Sequence, residues 1–257
     1  MQFINYEVLN RIAYITINRP EKRNALNLEL VASLKQAFLY AKDDNNVKIV
    51  ILQADGEVFS AGADLAYLQQ LQTNSYEENV TDSAALKDLF YSIYTFPKIV
   101  IAQVEGHAIA GGCGLASICD IVFAIPEAKF GYTEVKIGFI PALVACFLVR
   151  KLGEARTKEL LLSGDLIDAE TASRYGLINF VVEKNNIREN VKKYAENLTS
   201  GTSAQSISLT KQLLNIVQNS SLESSLEEAV LFNASARATI DCKQGISAFL
   251  NKEKLEW

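Results

Sequence analysis

Histidine is nearly absent from this 257-residue chain, and His107 is the single one. Four cysteines, Cys113, Cys119, Cys146 and Cys242, are spread without a Cys-x-x-Cys pair. Zinc sites draw several His, Cys or carboxylate ligands at characteristic spacing, so no metal is expected. A Ser–His–Asp triad would have to use His107, and no Gly-x-Ser-x-Gly elbow accompanies it. The cysteines read as buried, reduced thiols of a cytoplasmic protein. Positive charge is also scarce: 25 Lys and Arg stand against 30 Asp and Glu, for a net charge of −5. With no Lys/Arg block, nucleic acid is not an expected partner. Long apolar runs are missing too. Stretches such as Ile118–Ile125 are interrupted by charge, and none approaches the roughly 20 residues of a membrane span. The N-terminal MQFINYEVLNR lacks the basic stretch and apolar core of a secretory signal. The expectation is a cytoplasmic protein without a membrane partner.

What is present is apolar bulk. Hydrophobic residues make up 49% of the chain, ample for a sizeable core. Ile12–Asn18, Val47–Gln53, Lys98–Val104, Ile121–Ile125 and Ile178–Val182 read as strands. Between them, Asn27–Asp43 places Leu30, Leu34, Phe38 and Ala41 on one helical stripe, and Leu86, Leu89, Phe90, Ile93 and Tyr94 form another. Strands alternating with helices predict an α/β core. The last third differs: Arg188–Leu198, Ala204–Gln218 and Leu222–Ala238 read as helices with few β signals. The expected division is a core over 1–195 and a helical region over 196–257.

The stretch EGHAIAGGCGLASICD, 105–120, sets glycines at 106, 111, 112 and 114 in an apolar run. A buried strand leads into it and a plausible helix leads out. Strand, glycine turn and helix together point backbone N–H groups outward, which suits an anion or a developing oxyanion. Tight packing of a helix on a strand would explain the same glycines. GGCG lacks the spacing of a dinucleotide fingerprint. A second such element is FSAGADL, 59–65, after the strand VKIVILQ. Its Asp64 is equally explained as a helix cap. Two such turns could supply two converging amides for one carbonyl oxygen. A base must lie nearby, and Glu134 stands among Phe130, Tyr132, Val135, Ile137 and Phe139. Apolar surroundings raise a carboxyl pKa toward the range useful for acid–base work, although a solvated loop glutamate is the ordinary alternative.

Six segments in order resemble the crotonase superfamily, the enoyl-CoA hydratase/isomerase family. They are INRPEKRNALN (17–27), FSAGADL (59–65), EGHAIAGGCGLASICDI (105–121), FGYTEVKIGFIP (130–141), LSGDLIDAETASRYGLINFVV (162–182) and GISAFLNK (245–252). The resemblance implies a spiral of ββα units followed by C-terminal helices that build a homotrimer, often doubled to a hexamer. It implies an acyl-CoA thioester substrate, with coenzyme A carried by the substrate and no separate cofactor. Catalytic roles fall on Glu134 as acid–base and on the amides of Ala63 and Gly111. Lys22, Arg23, Ala25, Leu26, Ala61, Asp64 and Leu65 would line the CoA groove, with Lys22 and Arg23 toward its phosphates. Phe249 and Lys252 could approach CoA from a neighbouring subunit.

The chain also departs from the pattern. Hydratases of the family carry a second glutamate at the position of Gly114. Ala110 stands where glycine is common, and IPALVACFL (140–148) replaces a glycine-rich segment. The 142–146 stretch, ALVAC, holds no aspartate such as dienoyl isomerases and dehalogenases would use. Hydration needs a base for water and an acid for the α carbon. A double-bond shift from the 3 to the 2 position needs one base. A lone Glu134 therefore favours isomerisation chemically, while the motifs as a whole resemble a methylglutaconyl-CoA hydratase-like branch. His107, Tyr132 and Cys113 are candidates for the pocket wall, each with a structural alternative. Alternatives from other classes are a non-catalytic acyl-CoA-binding homologue and an enzyme acting on carrier-tethered acyl chains. The 66–96 region is expected to shape the acyl pocket.

Overall fold

The computed structural model describes residues 1–255 and 257, with Leu65 described through its backbone alone. In chain order the elements are β1 (Ile4–Leu9), β2 (Ile12–Ile17), α1 (Leu28–Asp43), β3 (Ile49–Ala54), β4 (Val58–Ser60), α2 (Leu65–Leu71), α3 (Tyr76–Tyr94), β5 (Ile99–Val104), β6 (His107–Ile109), α4 (Gly111–Ser117), β7 (Ile121–Ala124) and β8 (Lys129–Gly131). Then follow α5 (Ala142–Ser163), β9 (Ile167–Asp168), α6 (Ala169–Tyr175), β10 (Phe180–Val181), α7 (Ile187–Gly201), α8 (Ala204–Val217), α9 (Leu222–Ala238) and α10 (Ile240–Asn251).

Two sheets organise the chain. The larger runs β1-β2-β3-β5-β7-β10, antiparallel between β1 and β2 and parallel thereafter. Its central strands are near-continuous runs of Ile, Val and Leu, as required of parallel strands covered on both faces. Val50, Ile51 and Leu52 of β3, and Val100, Ile101 and Ala102 of β5, are all fully buried. Helix α1 covers one face through Leu30, Leu34, Ala37, Phe38 and Ala41, the stripe its 3.6-residue period predicts. The smaller sheet runs β4-β6-β8-β9, parallel across β4, β6 and β8.

The α/β expectation holds, and the chain is a succession of ββα units. Each long strand of the larger sheet (β3, β5, β7) is followed by a three-residue strand of the smaller one (β4, β6, β8), then by a helix. This corrects one local reading. Gly62 does not follow VKIVILQ directly, nor does Gly111 follow KIVIAQV; β4 and β6 intervene. Three-residue strands are too short to show an alternating pattern.

The helices expected in the last third are α7, α8 and α9, and α10 follows them. The division expected at 195/196 falls inside α7. That helix buries Ile187, Val191, Ala195 and Thr199 on one stripe. It is pinned at its C-terminus by buried Lys48, whose ammonium donates to the carbonyls of Thr199, at 2.6 Å, and Thr202. The helices beyond α7 bury little: no residue of α8 is buried, only Ser225 of α9 and Ala248 of α10. They leave Leu226, Val230, Leu231, Ile246, Phe249 and Leu250 exposed. Among the described residues, no helix is long and apolar enough to cross a membrane.

Candidate active site

The smaller sheet assembles the site. Its three parallel strands end side by side, and the residues just past β4, β6 and β8 are Ala63, Gly111 and Glu134. The turn after β4 is zipped to residues 23–26. Ala61 N–H donates to the Arg23 carbonyl (3.0 Å), Leu26 N–H to the Gly62 carbonyl (2.6 Å) and Asp64 N–H to the Leu26 carbonyl (2.9 Å). Gly62 takes φ +89°, and a Cβ there would lie 2.9 Å from the Ala110 Cβ and 3.1 Å from the Ile109 carbonyl. Only glycine permits both the conformation and the approach of the two turns. Among the described residues, neither the Ala63 nor the Gly111 N–H donates to a protein acceptor. Gly111 opens α4, where the first amides lack intrahelical partners. Ala110, just before it, has φ 50° and ψ −125°, a conformation that strains any residue with a Cβ.

Glu134 opens a 3-10 turn over Glu134–Ile137. Its Oε2 is buried without a hydrogen-bond partner among the described residues. Burial pushes its carboxyl above the ordinary glutamate range, opposed by a hydrogen bond from its own backbone N–H. Leu26, Ala61, Ala63, Gly111 and Glu134 line one cleft of about 260 Å³, whose apolar wall includes Val31, Tyr67, Leu68 and Leu86. A preorganised pair of free amides beside a carboxylate with one oxygen free can polarise a carbonyl and move a proton next to it.

The other expected site residues fall in different places. Ala25 is buried beside Leu26, and Lys22 and Arg23 stand exposed on the preceding turn. Asp64 does not line the cleft. Its carboxylate turns inward to Arg19 at 2.7 Å and caps α2 by accepting from Ala66 N–H. Burial alone would raise the Asp64 carboxyl, but the hydrogen bonds from Arg19 and Ala66 hold it below its ordinary value. The side chain of Leu65 lies outside the described residues. Phe249 and Lys252, at the end of α10, are exposed and line no part of the cleft. His107 is exposed and accepts from Lys129 N–H at 3.2 Å. Tyr132 is wholly buried, its hydroxyl 3.2 Å from Ser117 Oγ. Burial pushes the Cys113 thiol up to about 12, far from a reactive thiolate. None of these three lines the cleft.

Gly114 is packed shut rather than open. A Cβ at 114 would lie 2.4 Å from Val144 Cγ1 and 3.0 Å from Phe90 Cε2. The space that the Cβ of a second glutamate would need is already occupied by apolar side chains of α5 and α3. Two residues matter that the sequence did not single out. Arg19, inside the charge run RPEKRN, is buried: it donates to the Ala25 carbonyl (2.9 Å), pairs with Asp64 and lies 5.1 Å over the Phe3 ring. It ties the 19–26 segment to the turn that carries Ala63. Its position before Pro20 in a polar run hid it among solvated charges. The other is Asp82 of α3, whose side chain lines the cleft. Asp64→Ala would leave the Arg19 guanidinium buried and unpaired, at a cost of about 3–5 kcal/mol. A fall in Tm of roughly 10 °C is expected, and a change of under about 2 °C would show the pair to be structurally idle.

The Enoyl-CoA hydratase/isomerase family profile matches residues 7–257. The chain is 44% identical over 241 residues to a Thermus thermophilus protein provisionally named an enoyl-CoA hydratase, covering 94% of this chain and 95% of that one. It is 35% identical over 250 residues to the crotonyl-CoA hydratase of Syntrophomonas wolfei, covering 95% and 93%. The crystal structure of an enoyl-CoA hydratase from Shewanella pealeana superposes with a TM-score of 0.94 at 26% identity, over 100% of this chain and 96% of that one.

Proposed function

Because the chain belongs to the enoyl-CoA hydratase/isomerase family, we propose that this acyl-CoA enzyme hydrates a 2-enoyl-CoA thioester with Glu134 as its single acid–base. The observation that carries the reading is the unpartnered, buried Glu134 Oε2 in the same cleft as the free Ala63 and Gly111 amides. The amides would hold the thioester oxygen as it takes on enolate charge, making C3 electrophilic. Ionised Glu134 would take a proton from water as its oxygen bonds to C3, then return that proton to C2. Coenzyme A enters as part of the substrate, and no separate cofactor takes part. Lys22 and Arg23 stand where exposed cations could meet its phosphates.

The packing at Gly114 favours a second reading. With one carboxylate, proton removal from C2 of a 3-enoyl ester and return to C4 needs no activated water. The names of the relatives favour the first reading. The exposed apolar residues of α9 and α10 support a homotrimer or hexamer, in which Phe249 and Lys252 would lie near a neighbour's CoA.

The test incubates the protein with straight 2-enoyl-, 3-enoyl- and 3-methylglutaconyl-CoA, followed by mass spectrometry and ultraviolet absorbance. Gain of one water by a 2-enoyl ester is expected. A conjugated product of unchanged mass from the 3-enoyl ester alone would replace hydration by isomerisation. Binding of the esters without conversion of any would leave a non-catalytic acyl-CoA-binding protein.

A further inference from the structure

The cleft does not end at its apolar wall. A hollow of about 450 Å³ adjoins it and has Leu68, Asp82, Ile137 and Phe139 as lining in common with it, so Asp82 borders both spaces. The added part is polar on one side. Asn79, Asp82 and Ser83 of α3 all face it, together with Gln72, the residue after α2. Positions 79, 82 and 83 are related as i, i+3 and i+4, so they share one helix face. Asp82 is half-buried and, among the described residues, has no hydrogen-bond or ion-pair partner. Burial raises its carboxyl, with no cation opposing the shift. An acidic side chain held on a cleft wall without a partner is an acceptor available to a ligand.

We propose that Asp82, with Asn79, Ser83 and Gln72, forms a distal acyl subsite for chains that end in a hydrogen-bond donor, such as a hydroxyl, and that it rejects chains ending in a carboxylate. This rests on the reading of the cleft as an acyl-CoA site. An ionised carboxylate accepts hydrogen bonds and offers none, so a terminal hydroxyl satisfies it. A terminal carboxylate would set two like charges together in a partly desolvated space, which disfavours that ligand strongly. A methyl terminus leaves the polar groups of the subsite without a partner, an intermediate case. The proposal disfavours 3-methylglutaconyl-CoA, whose acyl group ends in a carboxylate.

The test compares three 2-enoyl-CoA esters of six carbons, and the same three of eight, ending in methyl, hydroxyl or carboxylate. Turnover is measured for the wild type and Asp82→Asn. Binding of the matching saturated esters is measured by calorimetry, so that affinity is known whether or not chemistry occurs. Each value is divided by that of the methyl-terminated ester in the same protein. The wild type is expected to prefer hydroxyl over carboxylate by about tenfold or more. Asp82→Asn keeps the side-chain size and removes the charge, and is expected to cut that preference by about tenfold. A preference unchanged in Asp82→Asn overturns the proposal, as does an equal loss on all three esters, which would place Asp82 in the reaction itself. Saturated esters that bind with the expected preference but whose unsaturated partners are never converted would sustain the subsite and overturn the proposed reaction. Failure of every ester to bind would overturn both.

Discussion

Glu134→Gln is expected to lower kcat/KM by roughly 10³-fold, within the range lost when a positioned acid–base group is removed. The substitution keeps the size of the side chain and its neighbours, and it removes the ability to take a proton. Binding of a saturated acyl-CoA should survive, because no other group of the cleft depends on Glu134 for a hydrogen bond: its Oε2 has no partner to lose. The pH profile supplies a second readout. Burial favours the protonated form, so the Glu134 carboxyl titrates above the ordinary glutamate value. The base must be ionised to act. Activity should therefore fall as pH drops through this raised pKa, giving an acid limb displaced upward from that of an exposed glutamate. In Glu134→Gln the limb should vanish with the activity. Full turnover by this variant would remove Glu134 from the mechanism.

Restoring the second glutamate should fail. Gly114→Glu is expected to destabilise the protein by about 4 kcal/mol or more, with Tm falling by roughly 10 °C, and to add no hydration activity. The reason is packing: a Cβ alone would collide with Val144 Cγ1 and crowd Phe90, and overfilling a tight core costs about 1–3 kcal/mol. The rest of the side chain would have to carry a charge past Val144 and Phe90, apolar groups that offer it no hydrogen bond, a further cost. Gly114→Ala should lose only the packing share. The comparison separates sterics from charge, since both proteins melt in the same assay. A stable Gly114→Glu protein that hydrates faster than the wild type would show instead that α3 and α5 yield to admit a second base. The expected failure explains why this position cannot be read from its neighbours alone. Gly114 lies in α4, Phe90 in α3 and Val144 in α5, and nothing in GGCGL shows that the other two converge on it.

The amino-acid sequence by itself determined the family, through six motifs in fixed order, and with it the identity of Glu134, Ala63 and Gly111 as residues to look for. It also determined most of the long elements, although β1, α5 and α10 were not read from it. Buried parallel strands need unbroken β-branched runs, and a helix covering them needs a stripe, so both leave periodic marks in the chain. It could not show the smaller sheet, because β4, β6 and β8 have three residues each. Yet that sheet, pairing segments some 20 to 50 residues apart, sets the three candidate residues side by side. Tertiary structure alone decided where the charges point. Asp64 turns inward because buried Arg19 is there to meet it, whereas Asp82 is left facing the cleft with no partner among the described residues. Asp64 caps α2 and Asp82 lies within α3, and in neither place does the local sequence say whether a cation will meet the carboxylate. Whether a carboxylate braces the fold or meets a ligand depends on which cation lies within about 3 Å, and chains bring such pairs together only by folding.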